Sequence, residues 1–372
     1  MDMFVTEVPC PTGYRNCELT LKTAVSCCAS RDSLRRNYVI CEECMTLKVL
    51  FIGGTGQISL PCVRAAIEAG HQVTVFNRGI RGEPLPKGVE LITGDTDDIH
   101  AYAKLANRDW HVVNQFLART TDLVERDISL FAGRTGQYVF ISSASVYHKT
   151  PFDGRLAETT RIGNPFWSYS QAKIRSEEMI RSAVDLPYTI VRPSHTVRTA
   201  MPTMLNEGDS VALRMLADKP VIVAGDGTSL WTLTRSEDIA RPFVRLFGNP
   251  GALGEDFHIT SDNGYTWDAI YSVIARALGV DIKIVHVPSD VLVRYHPEWQ
   301  GPLFGDKTLT TLFDNTKIKM LAGDFACESD LEKVLAAPIR FLKKRLEAGI
   351  QKDPAIEALS DRIVGDIERL AR

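Results

Sequence analysis

The sequence predicts an α/β fold in which a doubly wound parallel sheet is followed by a smaller C-terminal α+β domain. From Lys48 onward, short apolar runs alternate with amphipathic helical stretches, which is the rhythm of βαβ units. The glycine-rich run Gly53-Gly-Thr-Gly56 joins the first strand to the first helix. After Pro193 the character changes, with further prolines, the turn Gly225-Asp-Gly227 and longer helical stretches. These three observations predict a Rossmann-type first domain and a second, smaller domain.

The predicted strands are apolar along their length, as in parallel sheets that helices cover on both faces. They occupy residues 49–52, 72–76, 89–92, 112–113, 138–141 and 188–191, the first helix spans about 58–69, and later helices are expected at about 268–278 and 328–348. We therefore assign residues 45–198, with returns near 235–262, to the Rossmann-type domain. Residues 199–372 are assigned mainly to the second domain, which we expect to bind the substrate, and to C-terminal helices.

The segment before Met45 differs in composition from the rest of the chain. It holds six of the eight cysteines, namely Cys10, Cys17, Cys27, Cys28, Cys41 and Cys44. The pair Cys41-Glu-Glu-Cys44 has zinc-ligand spacing, but no second close pair and no histidine precedes Met45, whereas a structural zinc site needs four ligands. We therefore predict no metal site, and we interpret residues 1–44 as a poorly ordered leader that function does not require.

The charge balance limits the classes of partner. Lysine and arginine number 43 and aspartate and glutamate 46, which gives a formal net charge of -3. Such a mixture provides no long-range attraction for nucleic acid, so we do not expect a nucleic-acid partner. No apolar run approaches the roughly 18 to 20 residues of a membrane span, and no secretory signal is recognisable. We predict a cytoplasmic protein without a membrane partner.

The glycine-rich run is the first candidate site. Glycines between a strand and a helix permit a tight turn, and they let backbone N–H groups approach a pyrophosphate at the start of the helix. The predicted cofactor-binding residues of this run are Gly53, Thr55, Gly56, Gln57 and Ile58. Ser59 stands where a third glycine normally permits close packing of the helix on the strand. The run therefore predicts a dinucleotide cofactor.

The end of the second strand indicates which dinucleotide is bound. Sites selective for NAD place an acid here to bind the ribose 2′-hydroxyl, but this chain has Asn77 and Arg78. Both side chains suit a 2′-phosphate, which favours NADP over NAD, although Arg78 as an ordinary surface charge is the competing interpretation. Further cofactor contacts are expected from Asp95 and Thr96, where a turn aspartate is the alternative, and from Gln115.

A second group of residues points to proton transfer. Tyr169 and Lys173 have i, i+4 spacing in a helix-permissive stretch, which places the phenol and the ammonium on one helical face. A nearby ammonium favours tyrosinate and so lowers the tyrosine pKa from about 10. Ser143 follows the strand at 138–141, at the edge where parallel-sheet enzymes build their sites. Ser143, Tyr169 and Lys173 are therefore the candidate catalytic residues.

Taken together, these motifs resemble the extended short-chain dehydrogenase/reductase family of NAD(P)-dependent epimerases and dehydratases. The resemblance spans roughly residues 47–335 and includes Gly53-Gly-Thr-Gly56, Ser142-Ser-Ala-Ser-Val-Tyr147, Tyr169 to Lys173, Val191-Arg-Pro193, Gly225-Asp-Gly227 with Asp238, and Asp314-Asn-Thr-Lys317. It implies that Tyr169 is the acid/base and that Lys173 binds the nicotinamide ribose and lowers the tyrosine pKa. It further implies that Ser143 binds the reacting oxygen, that Pro193 lines the nicotinamide, and that a homodimer forms through helices of the first domain.

Two departures from the family pattern affect the expected function. Trp231 stands where nucleotide-sugar enzymes often have an arginine for the substrate diphosphate. Ser59 is similar to the pattern of atypical members, including isoflavone-reductase-like proteins and chloroplast stem-loop-binding proteins, some of which have lost catalysis. Here Ser143, Tyr169 and Lys173 are all present, which favours retained activity.

The substrate side is less clearly marked in the sequence. The candidate substrate residues are Ser145, Trp167, His195 and Trp231. A structural histidine and core tryptophans are the alternative interpretations. Asp306 and Lys307 follow a Pro-Gly-rich loop and can reach the pocket, although we expect an exposed salt bridge.

The leading hypothesis is an NAD(P)-dependent oxidoreductase or epimerase that moves hydride at a carbinol or carbonyl carbon of a sugar-like or other small molecule. The alternative from another class is a catalytically inactive dinucleotide-binding scaffold or RNA-associated protein. A dehydratase ranks lower, because Ala144 and Ser145 follow Ser143 where an extra acid would be wanted.

Overall fold

The computed structural model describes residues 46–80, 83–150 and 154–370. The strands, in chain order, are β1 Lys48–Ile52, β2 Gln72–Asn77, β3 Glu90–Thr93, β4 Trp110–Gln115, β5 Thr135–Ile141, β6 Tyr188–Arg192, β7 His195–Val197, β8 Val221–Ala224, β9 Leu230–Trp231, β10 Leu233–Arg235, β11 Glu255–His258, β12 Tyr265–Thr266 and β13 Ile284–Val287. The helices are α1 Ser59–Glu68, α2 Ile99–Ala103, α3 Thr121–Phe131, α4 Ser168–Ser182, α5 Ser210–Leu216, α6 Ser236–Val244, α7 Trp267–Leu278, α8 Ser289–Tyr295, α9 Gln300–Pro302, α10 Thr316–Ala322, α11 Leu331–Glu347 and α12 Pro354–Leu370. Residues 1–44, with their cysteines, lie outside the described residues.

Seven parallel strands form the main sheet in the order β11-β6-β5-β4-β1-β2-β3. The order reverses between β1 and β4, so the loops after these two strands diverge and leave a crevice at their carboxyl ends. Helices α1 and α6 pack on one face of the sheet, where Cys62 and Phe243 are buried. Helices α3 and α4 cover the other face, where Val124 and Ile180 are buried. The predicted Rossmann-type doubly wound sheet is confirmed.

A separate apolar core lies after β6. Strand pairs β8–β13 and β9–β12 and helices α5, α7 and α11 surround it, and its largest buried side chains are Trp231 and Trp267. Strand β11, which follows α6 in the chain, returns to the edge of the main sheet beside β6. Among the described residues, no helix has both the length and the apolar character needed to cross a membrane.

Candidate active site

The turn between β1 and α1 has no room for side chains at its first two positions. Gly53 has a φ of +89°, and a Cβ added there would lie 2.6 Å from the Leu117 side chain. A Cβ added at Gly54 would lie 2.5 Å from Val75 Cγ2 on β2. Since real Cβ atoms do not approach neighbours so closely, glycine is required for this turn to lie against β2 and the loop after β4.

Some backbone N–H groups of the turn already donate hydrogen bonds within the protein, and others are available to a ligand. Gly56 N–H donates to Ser59 Oγ at 2.9 Å, so the serine at the third glycine position binds the turn itself. No side chain caps the start of α1. Within the part of the chain that the structure describes, the N–H groups of Gln57 and Ile58 donate no hydrogen bond. These two donors at a helix start suit a pyrophosphate.

The predicted adenosine side lies at the ends of β2 and β3. Asn77 Oδ1 accepts from Gly79 N–H at 2.8 Å, and its Nδ2 donates to Thr55 Oγ1 at 3.3 Å, so its side chain lies directly beside the glycine-rich turn. Arg78 forms a loose ion pair with Asp95, with 3.8 Å between Nη1 and Oδ2. No acid occupies position 77, where an NAD-selective site has one. This donor-rich surface beside a turn with available N–H groups fits a dinucleotide phosphate.

Two further predicted cofactor residues are held by a buried polar network. Gln115 Nε2 donates to Asp127 Oδ2 at 2.6 Å, and its Oε1 accepts from Leu117 N–H at 2.7 Å and Ala118 N–H at 3.2 Å. Its side chain therefore shapes the loop after β4 from below the crevice. Arg126, next to Asp127, donates to the carbonyl of Thr96 and so fixes the loop after β3.

The three predicted catalytic residues come together at the carboxyl ends of β5 and β4. Ser143 lies beside Tyr169 on α4, where its hydroxyl favours the ionised form of the phenol. Ser145 lies behind Ser143: its Oγ is 2.9 Å from Ser143 Oγ and accepts from Ser170 Oγ at 2.7 Å. Only 2% of Ser145, one of the candidate substrate residues, is exposed, and its contacts support Ser143 from behind.

Lys173 lies beneath Tyr169 and spans two strand ends. Its Nζ donates to the carbonyls of Ala118 and Ile141, both at 2.7 Å, and lies 5.9 Å from the centre of the Tyr169 ring. Burial lowers the Lys173 pKa to about 7, and Glu177 one turn further along α4 opposes this shift. The ammonium therefore titrates near neutral pH.

The Tyr169 phenol differs from the sequence-based expectation. Burial raises its pKa above the usual value, although the Ser143 hydroxyl and the positive charge of Arg119 both oppose the increase. Lys173, whose ammonium donates to main-chain carbonyls, is not among the groups that shift the Tyr169 pKa, so the expected lowering by Lys173 is not found here. Arg119, in the loop after β4, is a cation near the phenol that the sequence analysis missed.

A buried charge network supports α4 against the sheet. Arg192 on β6 forms a paired hydrogen bond with Glu177, at 2.9 and 2.6 Å, and its Nη1 lies 2.5 Å from Asp256 on β11. Such a bidentate pair fixes both partners in orientation as well as distance. Because Glu177 lies one turn beyond Lys173, the pair also holds the face of α4 that carries Tyr169 and Lys173 against the sheet.

The predicted substrate side has an aromatic wall. Trp231 is buried, and its indole N–H donates to His195 Nδ1 at 3.1 Å. The His195 proton is therefore on Nε2, and burial together with the charge of Lys307 lowers the His195 pKa to about 3, so this imidazole is neutral. Trp167 contacts the Tyr169 phenol, with the two ring centres 5.1 Å apart.

The expected exposed salt bridge at Asp306 and Lys307 is wrong. Asp306 pairs with Lys149 from the loop after β5, and the two side chains are only 15% and 5% exposed. Lys307 donates instead to Asn206 Oδ1 at 2.8 Å and to the carbonyl of Thr203 at 2.9 Å. Both residues end a π-helical turn, Leu303–Lys307, that packs against the start of α4. Lys149 carried no sequence signal beyond its place two residues after Ser142-Ser-Ala-Ser-Val-Tyr147.

The matches to known proteins span the part of the chain that carries this site. The model of the NAD dependent epimerase/dehydratase family matches residues 49–260. Among relatives, 2'-dehydrokanamycin reductase of Streptomyces kanamyceticus is 27% identical over 252 residues, which is 66% of this chain and 70% of that protein. Phenylcoumaran benzylic ether reductase 1 of Arabidopsis thaliana is 27% identical over 274 residues, 69% of this chain and 82% of the relative.

Solved structures share the fold at lower identity. UDP-glucuronic acid 4-epimerase of Bacillus cereus, in complex with UDP-glucuronic acid and NAD, has a TM-score of 0.64 and 18% identity, over 80% of this chain and 100% of that one. WbmH of Bordetella bronchiseptica, in complex with NAD+, has a TM-score of 0.62 and 15% identity, over 81% and 99% of the two chains.

Proposed function

The chain belongs to the NAD dependent epimerase/dehydratase family, and on that premise we propose that it is an NADP-dependent oxidoreductase or epimerase acting on a small molecule that lacks a diphosphate. Membership confirms the family expected from the motifs. The family and its reductase relatives are NAD(P)-dependent enzymes, so an enzymatic role stands. The choice of NADP, the substrate and the residue roles are our proposals.

The observation that carries the proposal is the assembly of Ser143, Tyr169 and Lys173 at the carboxyl ends of β4 and β5. When bound, the nicotinamide accepts or donates the hydride. Ser143 binds the reacting oxygen of the substrate, and the Tyr169 hydroxyl exchanges a proton with that oxygen. Lys173 lies beneath the phenol, 5.9 Å from the ring centre, and in its protonated form it favours the tyrosinate that remains after the proton is donated. The N–H groups of Gln57 and Ile58 would hold the cofactor pyrophosphate.

The preference for NADP rests on the end of β2. An acid there would accept a hydrogen bond from the ribose 2′-hydroxyl and repel a 2′-phosphate. This chain instead offers the amide of Asn77 and the cation of Arg78. Arg78 is 60% exposed and its ion pair with Asp95 is long, so a phosphate can replace that partner at little cost. The adjacent groups thus favour an additional phosphate.

The aromatic wall and the lysines beside it support a substrate without a diphosphate. Trp231 is buried where an arginine would be needed, Lys149 is paired with Asp306, and Lys307 is bound to Asn206 and main-chain carbonyls. Both lysines of this wall therefore already have partners. The two reductase relatives are named for 2'-dehydrokanamycin and phenylcoumaran benzylic ethers and not for sugar nucleotides.

The test is turnover with a defined panel. Purified protein is incubated with NADPH or NADH and with keto-sugars, benzylic carbonyl compounds and UDP-sugars, and both cofactor oxidation and epimer formation are measured. We expect activity on a substrate without a diphosphate and a preference for NADPH. Tyr169→Phe should reduce kcat about 10²- to 10⁴-fold while NADPH still binds. Unchanged kcat in Tyr169→Phe, or activity confined to UDP-sugars, would contradict the proposal.

A further inference from the structure

Arg198, just beyond β7, holds the glycine-rich turn from outside the motif. Its Nε donates to the carbonyl of Gln57 at 3.0 Å, and its Nη2 donates to the carbonyl of Gly56 at 3.2 Å. Its Nη1 pairs with Glu83 in the segment after β2. Only 6% of Arg198 is exposed, so these contacts form away from solvent. One guanidinium thus binds two successive carbonyls of the turn.

These two contacts help to fix the orientation of the turn's available N–H groups, together with the Leu60 N–H of α1, which donates to the Gly56 carbonyl at 3.4 Å. In a trans peptide the carbonyl and the N–H of one unit point in opposite directions. The Gly56 carbonyl shares its peptide unit with the Gln57 N–H, and the Gln57 carbonyl shares its unit with the Ile58 N–H. By drawing both carbonyls toward itself, Arg198 aims both N–H groups the other way, and these are the donors assigned to the pyrophosphate.

The Gln57 side chain strengthens the same attachment. Its Nε2 donates to the carbonyl of Thr196 at 3.4 Å, and its Oε1 accepts from Thr199 N–H at 3.1 Å and Thr199 Oγ1 at 2.8 Å. The turn is therefore tied on both sides of Arg198 to one segment, residues 196–199. Because its amide is engaged in this way, Gln57 contributes to the cofactor site through its backbone.

We propose that Arg198 is a positioning residue for the cofactor pyrophosphate, acting through the peptide planes of Gln57 and Ile58. The inference rests on the proposed cofactor site. Glu83 bears on how Arg198 acts: burial favours its neutral form, but the hydrogen bonds from Arg198 and Arg64 prevail, so the Glu83 pKa is lowered and the carboxylate is charged. The charge of Arg198 is thereby balanced, and its effect on the cofactor is one of orientation and not of attraction.

This distinction defines the variants. Arg198→Lys retains a positive charge for Glu83, which protects the fold, but an ammonium lacks the planar fork that reaches two carbonyls and the carboxylate together. Arg198→Ala removes all three contacts. Arg64→Ala is the matched control, because Arg64 pairs with the same Glu83 at 3.1 Å but makes no contact with the turn's carbonyls.

The experiment measures dissociation constants by calorimetry for two ligands, NADPH and adenosine 2′-monophosphate, which has no pyrophosphate. We expect both Arg198 variants to weaken NADPH binding at least about tenfold and to change the affinity for adenosine 2′-monophosphate less than twofold. Arg64→Ala should change neither by more than about twofold. Thermal unfolding of each variant monitors the fold.

Three results would overturn the assignment while leaving the proposed function intact. NADPH binding that is unchanged in both Arg198 variants excludes a positioning role. Equal losses for both ligands indicate a general structural role, and full recovery in Arg198→Lys indicates a role of charge. Wild-type protein that binds neither NADPH nor NADH would contradict the proposed function, and the role of Arg198 with it.

Discussion

The proposed cofactor side and the proposed substrate side of the site take their polar groups from the chain in different ways. The cofactor side uses backbone N–H groups of one short turn and the ends of neighbouring strands. The substrate side uses side chains from five separate segments, which carry Lys149, Trp167, His195, Trp231 and Asp306. We therefore expect cofactor binding to be sensitive to atoms added to the turn. We expect substrate binding to depend on the identity of the side chains.

Arg198 and the proposed catalytic residues lie where these two sides meet. Strand β7 carries His195 toward Trp231 at its start, and Arg198 follows its end and holds the glycine-rich turn. Lys173 likewise binds the loop after β4, which packs on Gly53, and the end of β5, which leads to Ser143. Substitutions on either side therefore test whether the two sides act independently.

The largest effect of these substitutions is expected on the cofactor side, from Gly53→Ala. The residue has φ of +89°, which costs an L-residue about 1 to 2 kcal/mol, and the new methyl group meets Leu117. We expect the free energy of unfolding to fall by about that amount and the NADPH dissociation constant to rise at least about tenfold, because the turn must move. Both are measured by denaturant unfolding and calorimetry.

The control for this change is Gly365→Ala in α12. Nothing lies within 4 Å of a Cβ added there, and alanine favours a helix over glycine by about 1 kcal/mol. We expect unchanged NADPH binding and equal or greater stability. If Gly53→Ala binds NADPH as tightly as this control does, the cofactor side does not depend on the close fit of its turn.

The same contrast explains how much could be predicted from the sequence. Gly53, Asn77 and the fold itself were predictable, because the residues of the cofactor side are close together in the chain and their spacing follows from the geometry of a βαβ unit. The pairing of Lys149 with Asp306 was not, because these residues are 157 positions apart and only the tertiary fold brings them together. Arg198 escaped notice for the same reason, since its partners Gln57 and Glu83 precede it by more than 100 residues.

A second prediction concerns cofactor choice through Asn77→Asp. A carboxylate at this position accepts a hydrogen bond from the ribose 2′-hydroxyl of NAD and repels the 2′-phosphate of NADP. We expect the ratio of kcat/KM for NADPH to that for NADH to fall about tenfold, with little change in the KM for substrate. Asn249→Asp, in the turn that precedes β11, is the control and should leave the ratio unchanged. A wild-type enzyme that already prefers NADH would overturn our assignment of Asn77 and Arg78.

The smallest effect is expected on the substrate side, from Asp306→Asn. The negative charge of Asp306 helps to raise the pKa of Tyr169, after burial as the main cause, so its removal lowers that pKa. Reduction requires the protonated phenol, and its rate should therefore decline at a lower pH than in the wild type. Lys149 also loses its partner, so we expect the KM for substrate to rise severalfold while the NADPH dissociation constant stays the same.

These quantities come from pH–rate profiles of kcat/KM for the reduction, together with calorimetry for NADPH. Asp290→Asn on α8, an exposed acid paired with Arg294, is the control and should move neither the profile nor the KM. An unchanged profile in Asp306→Asn would mean that Asp306 does not act on the phenol. A loss of NADPH affinity in this variant would mean that the two sides of the site are coupled. The contrast between backbone and side-chain recognition would then describe the structure of each side, but the two sides would not bind their ligands independently.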